Sequence, residues 1–183
     1  MVQWESTHEL HAFRLLDCDP DIVGFREQPC EIEYEIDGVR HRHYPDILVE
    51  FKERTELWEV KPNADALSED IKIRTTLLVH DLPSRGYQYK VVFGKDLARQ
   101  PRLNNAGLLL RWGRPPISDI DREAARRLLT RTGEMSLRCD SNCGYGTRGR
   151  EIACRLALEG VLEVDMDSPI MPSTPFRLRK GKL

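Results

Sequence analysis

Three side chains that together could hydrolyse a phosphodiester stand close in the first third of the chain. Asp46 follows a proline, and Glu59 and Lys61 come thirteen and fifteen positions later. Two carboxylates can hold a divalent metal ion that binds the phosphate and activates water. A nearby ammonium can orient that water or offset the charge that develops on the phosphate. The pattern Pro-Asp, then Glu-x-Lys, therefore predicts metal-dependent cleavage of phosphate diesters.

Strand alternation is what would bring these three side chains together. Successive side chains of a strand point to opposite faces, so Glu59 and Lys61 share one face and Val60 points to the other. The apolar residues of the preceding strand have the opposite parity to Asp46. A polar turn at 52–55 folds the two strands against each other, and we therefore expect Asp46 to lie near Glu59.

The same residues also allow a simpler interpretation. In an exposed hairpin, Lys61 would form a surface salt bridge with Glu59 or Asp46, worth about 0–1 kcal/mol. Short patterns of this kind arise by chance in charged chains. The context favours the catalytic interpretation, because Asp46 adjoins an apolar strand, Lys61 ends a strand that leads into a helix, and another helix precedes both.

The surrounding elements predict an α/β domain. Apolar residues at helical spacing predict helices over 6–17 and 64–80. Residues 37–38, Asp-Gly, predict a hairpin turn. Further strands are predicted at 22–28, 30–36, 39–51, which is bent or interrupted near Pro45, 56–61 and 87–93. The order helix, antiparallel meander, helix, strand predicts a mixed sheet flanked by helices.

The second half of the chain predicts a smaller module. The proline pair in Arg114-Pro115-Pro116 stiffens the chain and ends helices, so residues 101–116 are interpreted as a linker between a nuclease domain at 1–100 and a module at 117–183. One helix is expected at 117–128, and Ile152 and Leu156 mark a second helix that ends at Gly160. Strands are expected at 161–166 and 176–179. Helices followed by a hairpin predict a winged-helix-like module for DNA or partner binding.

Charge is unevenly distributed along the chain. The protein has 183 residues, 40% hydrophobic and 32% charged, with a net charge of −2, as expected of a soluble globular protein. Residues 1–62 carry 15 acidic and 7 basic residues, whereas residues 63–183 carry 15 acidic and 21 basic residues. A net-acidic chain argues against a nucleic-acid binder acting alone. Carboxylates that hold cations are neutralised in use, however, so DNA stays compatible with this balance.

Cysteine usage and hydropathy indicate the compartment. Five cysteines form an odd, scattered set, which suits reduced thiols better than a disulfide framework. No apolar run approaches the roughly 18 residues of a membrane span, and no charged start precedes an apolar leader region. We expect a cytoplasmic location without membrane association.

The first half of the chain contains several ordered blocks: ESTHE at 5–9, LLD at 15–17, DPDIVGFREQP at 19–29, IEY at 32–34, YPDILV at 44–49 and WEVKP at 58–62. Together these blocks resemble TnsA-type endonucleases, PD-(D/E)xK subunits of heteromeric cut-and-paste transposases. The resemblance implies a restriction-endonuclease-like fold and cleavage of double-stranded DNA at transposon 5′ ends. It also implies two Mg²⁺ ions, with Mn²⁺ as a substitute, a DDE-type (TnsB-like) and an AAA+ (TnsC-like) partner, and association with the nucleoid.

The resemblance assigns the catalytic residues one by one. The helix glutamate of the family falls on Glu9, its metal-binding aspartate on Asp46 and its lysine on Lys61. Some relatives carry an amide where this chain has Glu59. The implied metal ligands are Glu9, Asp46, Glu59 and the backbone carbonyl of Val60.

Glu9 also has a purely structural interpretation. The pattern Ser6-x-x-Glu9 is typical of a capping box, in which the Glu9 side chain bonds back to the Ser6 backbone amide at the start of the helix. The family resemblance favours a role in the metal site.

Basic residues and one histidine are the candidate DNA contacts. His43 precedes Asp46 closely enough to approach a phosphate, although a solvated strand histidine is the simpler interpretation. The remaining candidates belong to a basic set in the second module, which could equally be solvated surface: Arg148, Arg150, Arg155, Arg177, Arg179 and Lys180.

Two further motifs carry weak signals. The GxGxxG at 144–149 follows a polar stretch and lacks the preceding strand of a dinucleotide site, so a loop that contacts the DNA backbone is favoured. Cys139, Cys143 and Cys154 lack a second pair at the usual spacing of zinc ligands.

Two other functions remain open from the residues. The first is a stand-alone restriction, repair or phage-defence nuclease. The second is a catalytically silent adaptor that binds DNA or protein through its second module, and the presence of Asp46, Glu59 and Lys61 argues against it.

Overall fold

The computed structural model describes residues 6–138 and 148–181. The chain divides into two compact units. The first unit comprises Met1–Leu16 and Asp21–Ala98, and the second comprises Asp17–Pro20 and Arg99–Leu183. A short segment after the first helix therefore belongs to the second unit.

The first unit alternates helices and strands. Two short 3₁₀ turns, Ala64–Ala66 and Leu82–Arg85, flank its long helix. The helices are α1 (Thr7–Leu16), α2 (Glu69–Asp81) and α3 (Gly94–Leu97). The strands are β1 (Ile22–Glu27), β2 (Ile32–Ile36), β3 (Val39–His43), β4 (Ile47–Phe51), β5 (Thr55–Lys61) and β6 (Tyr87–Phe93).

A four-stranded mixed sheet forms the centre of the first unit. Its order is β1-β4-β5-β6, with β5 and β6 parallel and the other neighbours antiparallel. Both faces of the sheet are apolar. In β4, Ile47 and Val49 point towards α1, and Leu48 points to the opposite face, towards α2. Helices thus cover both faces of a mixed sheet, as predicted, and this arrangement fits a restriction-endonuclease-like fold.

The strand connections differ from the predicted meander. The segment 39–51 is interrupted near Pro45, one of the two predicted possibilities, and forms two strands. Strand β1 pairs with β4 instead of with β2. Strands β2 and β3 form a separate two-stranded sheet around Asp37 and Gly38, which both have positive φ as the predicted hairpin turn requires. Except for His43, β3 is exposed, so it has no apolar face to add to the central sheet.

The helix predicted at 64–80 begins five residues later than expected. Asn63 caps only a single 3₁₀ turn, and Leu67 then adopts an extended conformation. Ser68 starts α2 by accepting the Ile71 amide hydrogen on its side chain. Two capping residues in succession divide the segment, because each side chain competes locally for backbone donors.

Over residues 99–138 and 148–181, the second unit combines three helices with a small antiparallel sheet. Its hydrophobic core surrounds Ile152, Leu162 and Phe176, which are fully buried. The helices are α4 (Arg102–Gly113), α5 (Asp119–Thr132) and α6 (Gly149–Leu158), and the strands β7 (Glu134–Ser136), β8 (Leu162–Glu163) and β9 (Pro175–Leu178) form a sheet of order β7-β9-β8. The predicted helices and hairpin are present, with shorter strands, and the winged-helix assignment stays a prediction.

The interval 101–116, interpreted from its prolines as a linker, contains α4. This helix buries Leu103, Ala106, Leu109 and Leu110. Leu109 belongs to the core of the second unit. The proline pair stands just after α4 ends, so it terminates a packed helix instead of marking a flexible connection.

Candidate active site

Asp46 is held at the entrance to β4 by the backbone of β5. The last paired residues of the two strands are Ile47 and Trp58. The Asp46 amide donates to the Trp58 carbonyl at 2.9 Å, and the Asp46 Oδ2 accepts the Val60 amide hydrogen at 2.6 Å. The carboxylate thus satisfies an amide that lies beyond the paired part of β4, which holds its position on the sheet.

Glu59 and Lys61 share a face of β5, as strand parity predicted. Val60 points to the opposite face, where it joins the hydrophobic cluster beside α1. Glu59 is 3% exposed, and its Oε1 lies 2.8 Å from Lys61 Nζ. A buried carboxylate and an ammonium are therefore in direct contact next to Asp46, so the surface salt bridge of the simpler interpretation does not describe this pair.

Three further residues surround Glu59. Arg74 of α2 donates through Nη2 to Glu59 Oε1 at 2.9 Å. The His43 Nε2 lies 3.2 Å from Glu59 Oε2 and 2.9 Å from the hydroxyl of Tyr89 on β6. Glu59 therefore lies at the centre of a buried polar network that includes one residue each from β3, α2 and β6.

Sequence reasoning missed Arg74 and Tyr89. Arg74 could have been noticed in the sequence, because it lies at helical spacing from the apolar residues Ile71 and Leu78, on the half-buried side of α2. A cation on the inner side of a helix needs an internal partner. For Tyr89, the sequence shows only that it belongs to a strand rich in apolar residues.

Burial and neighbouring charges separate the two carboxylates. Burial raises the pKa of Asp46 to about 6, and the charges of Glu59 and Glu9 act in the same direction against the Val60 amide and Lys61. Burial opposes ionisation of Glu59 as well, but the neighbouring His43 ring and the Lys61 ammonium outweigh it and lower the pKa of Glu59 to about 2. At neutral pH the Glu59 carboxylate is therefore charged, whereas Asp46 changes its protonation state close to neutral pH.

Glu9 takes part in the predicted cap and also influences Asp46. The Glu9 amide donates to Ser6 Oγ at 3.2 Å, and the Ser6 hydroxyl donates to Glu9 Oε1 at 2.8 Å. Its charge contributes to the raised pKa of Asp46. The two interpretations of Glu9 are therefore compatible.

The residues around Asp46 fit a divalent cation by their chemistry. Within 6–138 and 148–181, no three or more His, Cys, Asp or Glu side chains are grouped so that they could hold a metal ion. Carboxylates and carbonyls are nevertheless the ligands that Mg²⁺ prefers. Among the described residues, buried Glu59 Oε2 has no well-aligned donor despite the nearby His43 ring. A buried acceptor without a donor is an atom that a cation would stabilise.

Val60 stays a predicted ligand through its carbonyl. The N–H and C=O of one strand residue point towards the same neighbouring strand. Because the Val60 amide donates to Asp46, its carbonyl is also directed to the Asp46 side of β5.

The candidate DNA contacts are placed differently from one another. His43 is 6% exposed, and its ring contacts Glu59 and Tyr89, so it lines the network instead of offering an exposed contact. Arg150 lies over the Trp112 ring at 4.6 Å, and Lys180 is exposed. Arg179 follows β9, and its amide donates to the Val161 carbonyl. Three arginines have carboxylate partners: Arg148 with Asp121, Arg155 with Glu159 and Arg177 with Glu134.

The structure adds little about the GxGxxG segment and the three cysteines considered as zinc ligands. Cys139, Cys143 and residues 144–147 of the GxGxxG lie outside the described residues. Cys154 is a buried free thiol whose pKa is raised to about 12 by burial. Among the helices of the described ranges, none has both the length and the apolar character needed to cross a membrane.

A comparison with known protein families gives a match within the first unit. Residues 19–95 match the family described as TnsA-like endonuclease N terminal. No curated protein matches the chain. The matched segment includes β1 to β6 and α2, and with them Asp46, Glu59 and Lys61. This match supports a TnsA-like endonuclease domain over residues 19–95.

Proposed function

We propose that this protein is a metal-dependent DNA endonuclease that cleaves at transposon 5′ ends as one subunit of a heteromeric transposase. One observation carries the proposal: in a TnsA-like domain, Lys61 Nζ lies 2.8 Å from buried Glu59 beside Asp46. Two carboxylates and an ammonium thus converge where two paired strands end.

The residues of the site have separable tasks. Asp46 presents a carboxylate whose position is fixed by the Val60 amide. Glu59 holds the Lys61 ammonium in place through the 2.8 Å contact, and the ammonium then offsets charge on the reacting phosphate. A divalent ion such as Mg²⁺ or Mn²⁺, when held by Asp46, Glu59 and the Val60 carbonyl with Glu9 nearby, supplies Lewis-acid charge to the phosphate.

Holding DNA is a task that we assign to the second unit. Residues 1–62 are strongly acidic, whereas the chain beyond them has an excess of basic residues. Arg150, Arg177, Arg179 and Lys180 are the proposed contacts, because a basic surface neutralises backbone phosphates. Arg148 and Arg155 are also retained; like Arg177, they have carboxylate partners from which DNA would have to release them. A winged-helix-like module binding DNA or a partner is compatible with α6 and the β8–β9 pair.

The match of residues 19–95 to the TnsA-like family also supports the proposed partners. These are a DDE-type TnsB-like transposase subunit and an AAA+ TnsC-like regulator. A stand-alone nuclease would cleave without either protein.

The test is nicking of a supercoiled plasmid that carries the transposon end. With the TnsB-like and TnsC-like partners added, we expect nicking with Mg²⁺ or Mn²⁺, none in EDTA, and none from Lys61→Met. The matched control is Lys52→Met, which removes an exposed cation from the turn between β4 and β5 and should leave nicking unchanged. Strong nicking without partners would favour the stand-alone enzyme, and no nicking under any condition would remove the nuclease proposal.

A further inference from the structure

Arg74 directs a guanidinium from α2 towards the candidate active site. Its side chain is 16% exposed, and its Nη2 donates to Glu59 Oε1 at 2.9 Å. Ile71 and Leu78 lie on the same side of the helix. Arg74 thus places a cation between two apolar residues on the inward-facing side of α2, where it contacts Glu59.

The contact is not the usual arginine–carboxylate pair. Arginine commonly binds both oxygens of a carboxylate with two parallel hydrogen bonds. Here Lys61 shares Oε1 with Arg74, and Oε2 faces His43. Among the described residues, the buried Nε of Arg74 has no hydrogen-bond partner. A guanidinium buried with an unused donor is costly unless its charge serves the site.

Arg74 changes the charge of the proposed metal site. Glu9, Asp46 and Glu59 supply three negative charges, and Lys61 and Arg74 supply two positive charges. One divalent ion would leave a single positive charge, which matches the single negative charge of a phosphodiester. A second divalent ion would meet two fixed cations on the carboxylate it needs, and like charges at such distances repel strongly in a partly buried site.

We propose that Arg74 is a positioning residue that holds Glu59 and serves as a fixed cation in place of a second metal ion, so that the site binds one divalent ion beside Asp46. This inference rests on the proposed function, and it departs from the two ions that the resemblance implied. Arg74 acts through Glu59 and does not touch the reacting atoms.

The proposal predicts how metal binding changes when the guanidinium is removed. Arg74→Met keeps an unbranched side chain and loses the charge, so Glu59 becomes available to a second ion. Arg74→Lys keeps the charge and should keep one ion. Lys72→Met is the control, because Lys72 is an exposed cation on the same helix that pairs with Glu69 outside the site.

The experiment counts Mn²⁺ bound to the full-length chain, by calorimetry and by the electron paramagnetic resonance signal of free Mn²⁺. We expect one ion for the parent, Arg74→Lys and Lys72→Met, and two for Arg74→Met. Two ions or none bound to the parent would overturn the inference, as would a folded Arg74→Met variant that still binds one. If Arg74→Met fails to fold, the counts for the parent and Arg74→Lys decide.

Plasmid nicking by the same parent preparation separates the two proposals. A parent that nicks DNA while binding two ions refutes the role of Arg74 and leaves the nuclease standing. A parent that binds one ion and never nicks refutes the nuclease instead.

Discussion

The Asp46 carboxylate accepts the backbone amide hydrogen of Val60 at 2.6 Å. The contact lies just beyond the last paired residues of β4 and β5. One side chain therefore completes the hydrogen bonding of the sheet and also presents a charge to the candidate active site. Changes at Asp46 should affect stability and chemistry in opposite directions.

Asp46→Asn should melt at a higher temperature than the parent in EDTA at neutral pH. The amide oxygen can still accept from Val60, while a buried charge near Glu59 and Glu9 is removed. The folded pKa of about 6 lies above the usual value for aspartate, so ionisation of Asp46 destabilises the fold as pH rises through this range.

The difference in melting temperature should therefore be largest above about pH 6 and vanish below about pH 4, where Asp46 is protonated in both states. Thermal unfolding between pH 4 and pH 8 measures it. A variant that melts lower than the parent at neutral pH and still nicks DNA would contradict the role of Asp46.

Millimolar Mg²⁺ or Mn²⁺ should raise the melting temperature of the parent. A ligand that binds only the folded state stabilises it by RT ln(1 + [L]/Kd), about 2.7 kcal/mol at a hundredfold excess over Kd. Asp46→Asn should gain little from the same ions, because it lacks the main ligand. An equal response of both proteins would place the binding of these ions elsewhere.

Glu59→Gln should destabilise the protein by about 3 kcal/mol, because breaking a buried ion pair leaves an uncompensated charge. Lys61 and Arg74 would both lose their carboxylate partner. Glu69→Gln, which removes the exposed partner of Lys72, should change stability by less than about 1 kcal/mol. Urea unfolding of both variants at pH 7 provides the comparison.

The pH dependence of Glu59 runs opposite to that of Asp46. Its folded pKa of about 2 lies below the usual glutamate value, so its stabilisation is complete above about pH 5 and is lost as pH falls towards 2. The stability difference between the parent and Glu59→Gln should shrink over that interval. A difference that stays constant down to pH 2.5 would argue against the ion pairs as its source.

Arg177→Gln combined with Lys180→Gln should weaken DNA binding similarly for all sequences. Each lost phosphate contact reduces the slope of log K against log salt by about 1. Fluorescence anisotropy at several salt concentrations measures this slope, with Lys72→Gln as the control. An unchanged slope would show that this part of the second unit does not contact the DNA backbone.

The local features of the site could be predicted from the sequence. Glu59 and Lys61 share a face because side chains alternate along every strand. Asp46 lies beside Glu59 because a turn of a few residues joins their strands and leaves little choice of register. The hairpin at Asp37 and Gly38 follows in the same way from the backbone conformations that these two residues accept.

The environment of Glu59 depends on contacts that only the folded chain makes. His43, Arg74 and Tyr89 are separated from Glu59 by 15 to 30 positions, and no periodicity along one strand or helix relates them. The partner of β1 was likewise decided by packing, because both β2 and β4 could follow it in a meander, but only β4 has apolar residues for both faces of the sheet.

The sequence by itself determined the grouping of Asp46, Glu59 and Lys61 and the local turns, because alternation and turn geometry act over a few residues. Only the tertiary structure decided that Arg74 meets Glu59, that Asp17–Pro20 joins the second unit, and that residues 102–113 form a packed helix. Each of these depends on burial against residues distant along the chain. A local pattern cannot specify which distant partner a buried charge or an apolar face will find.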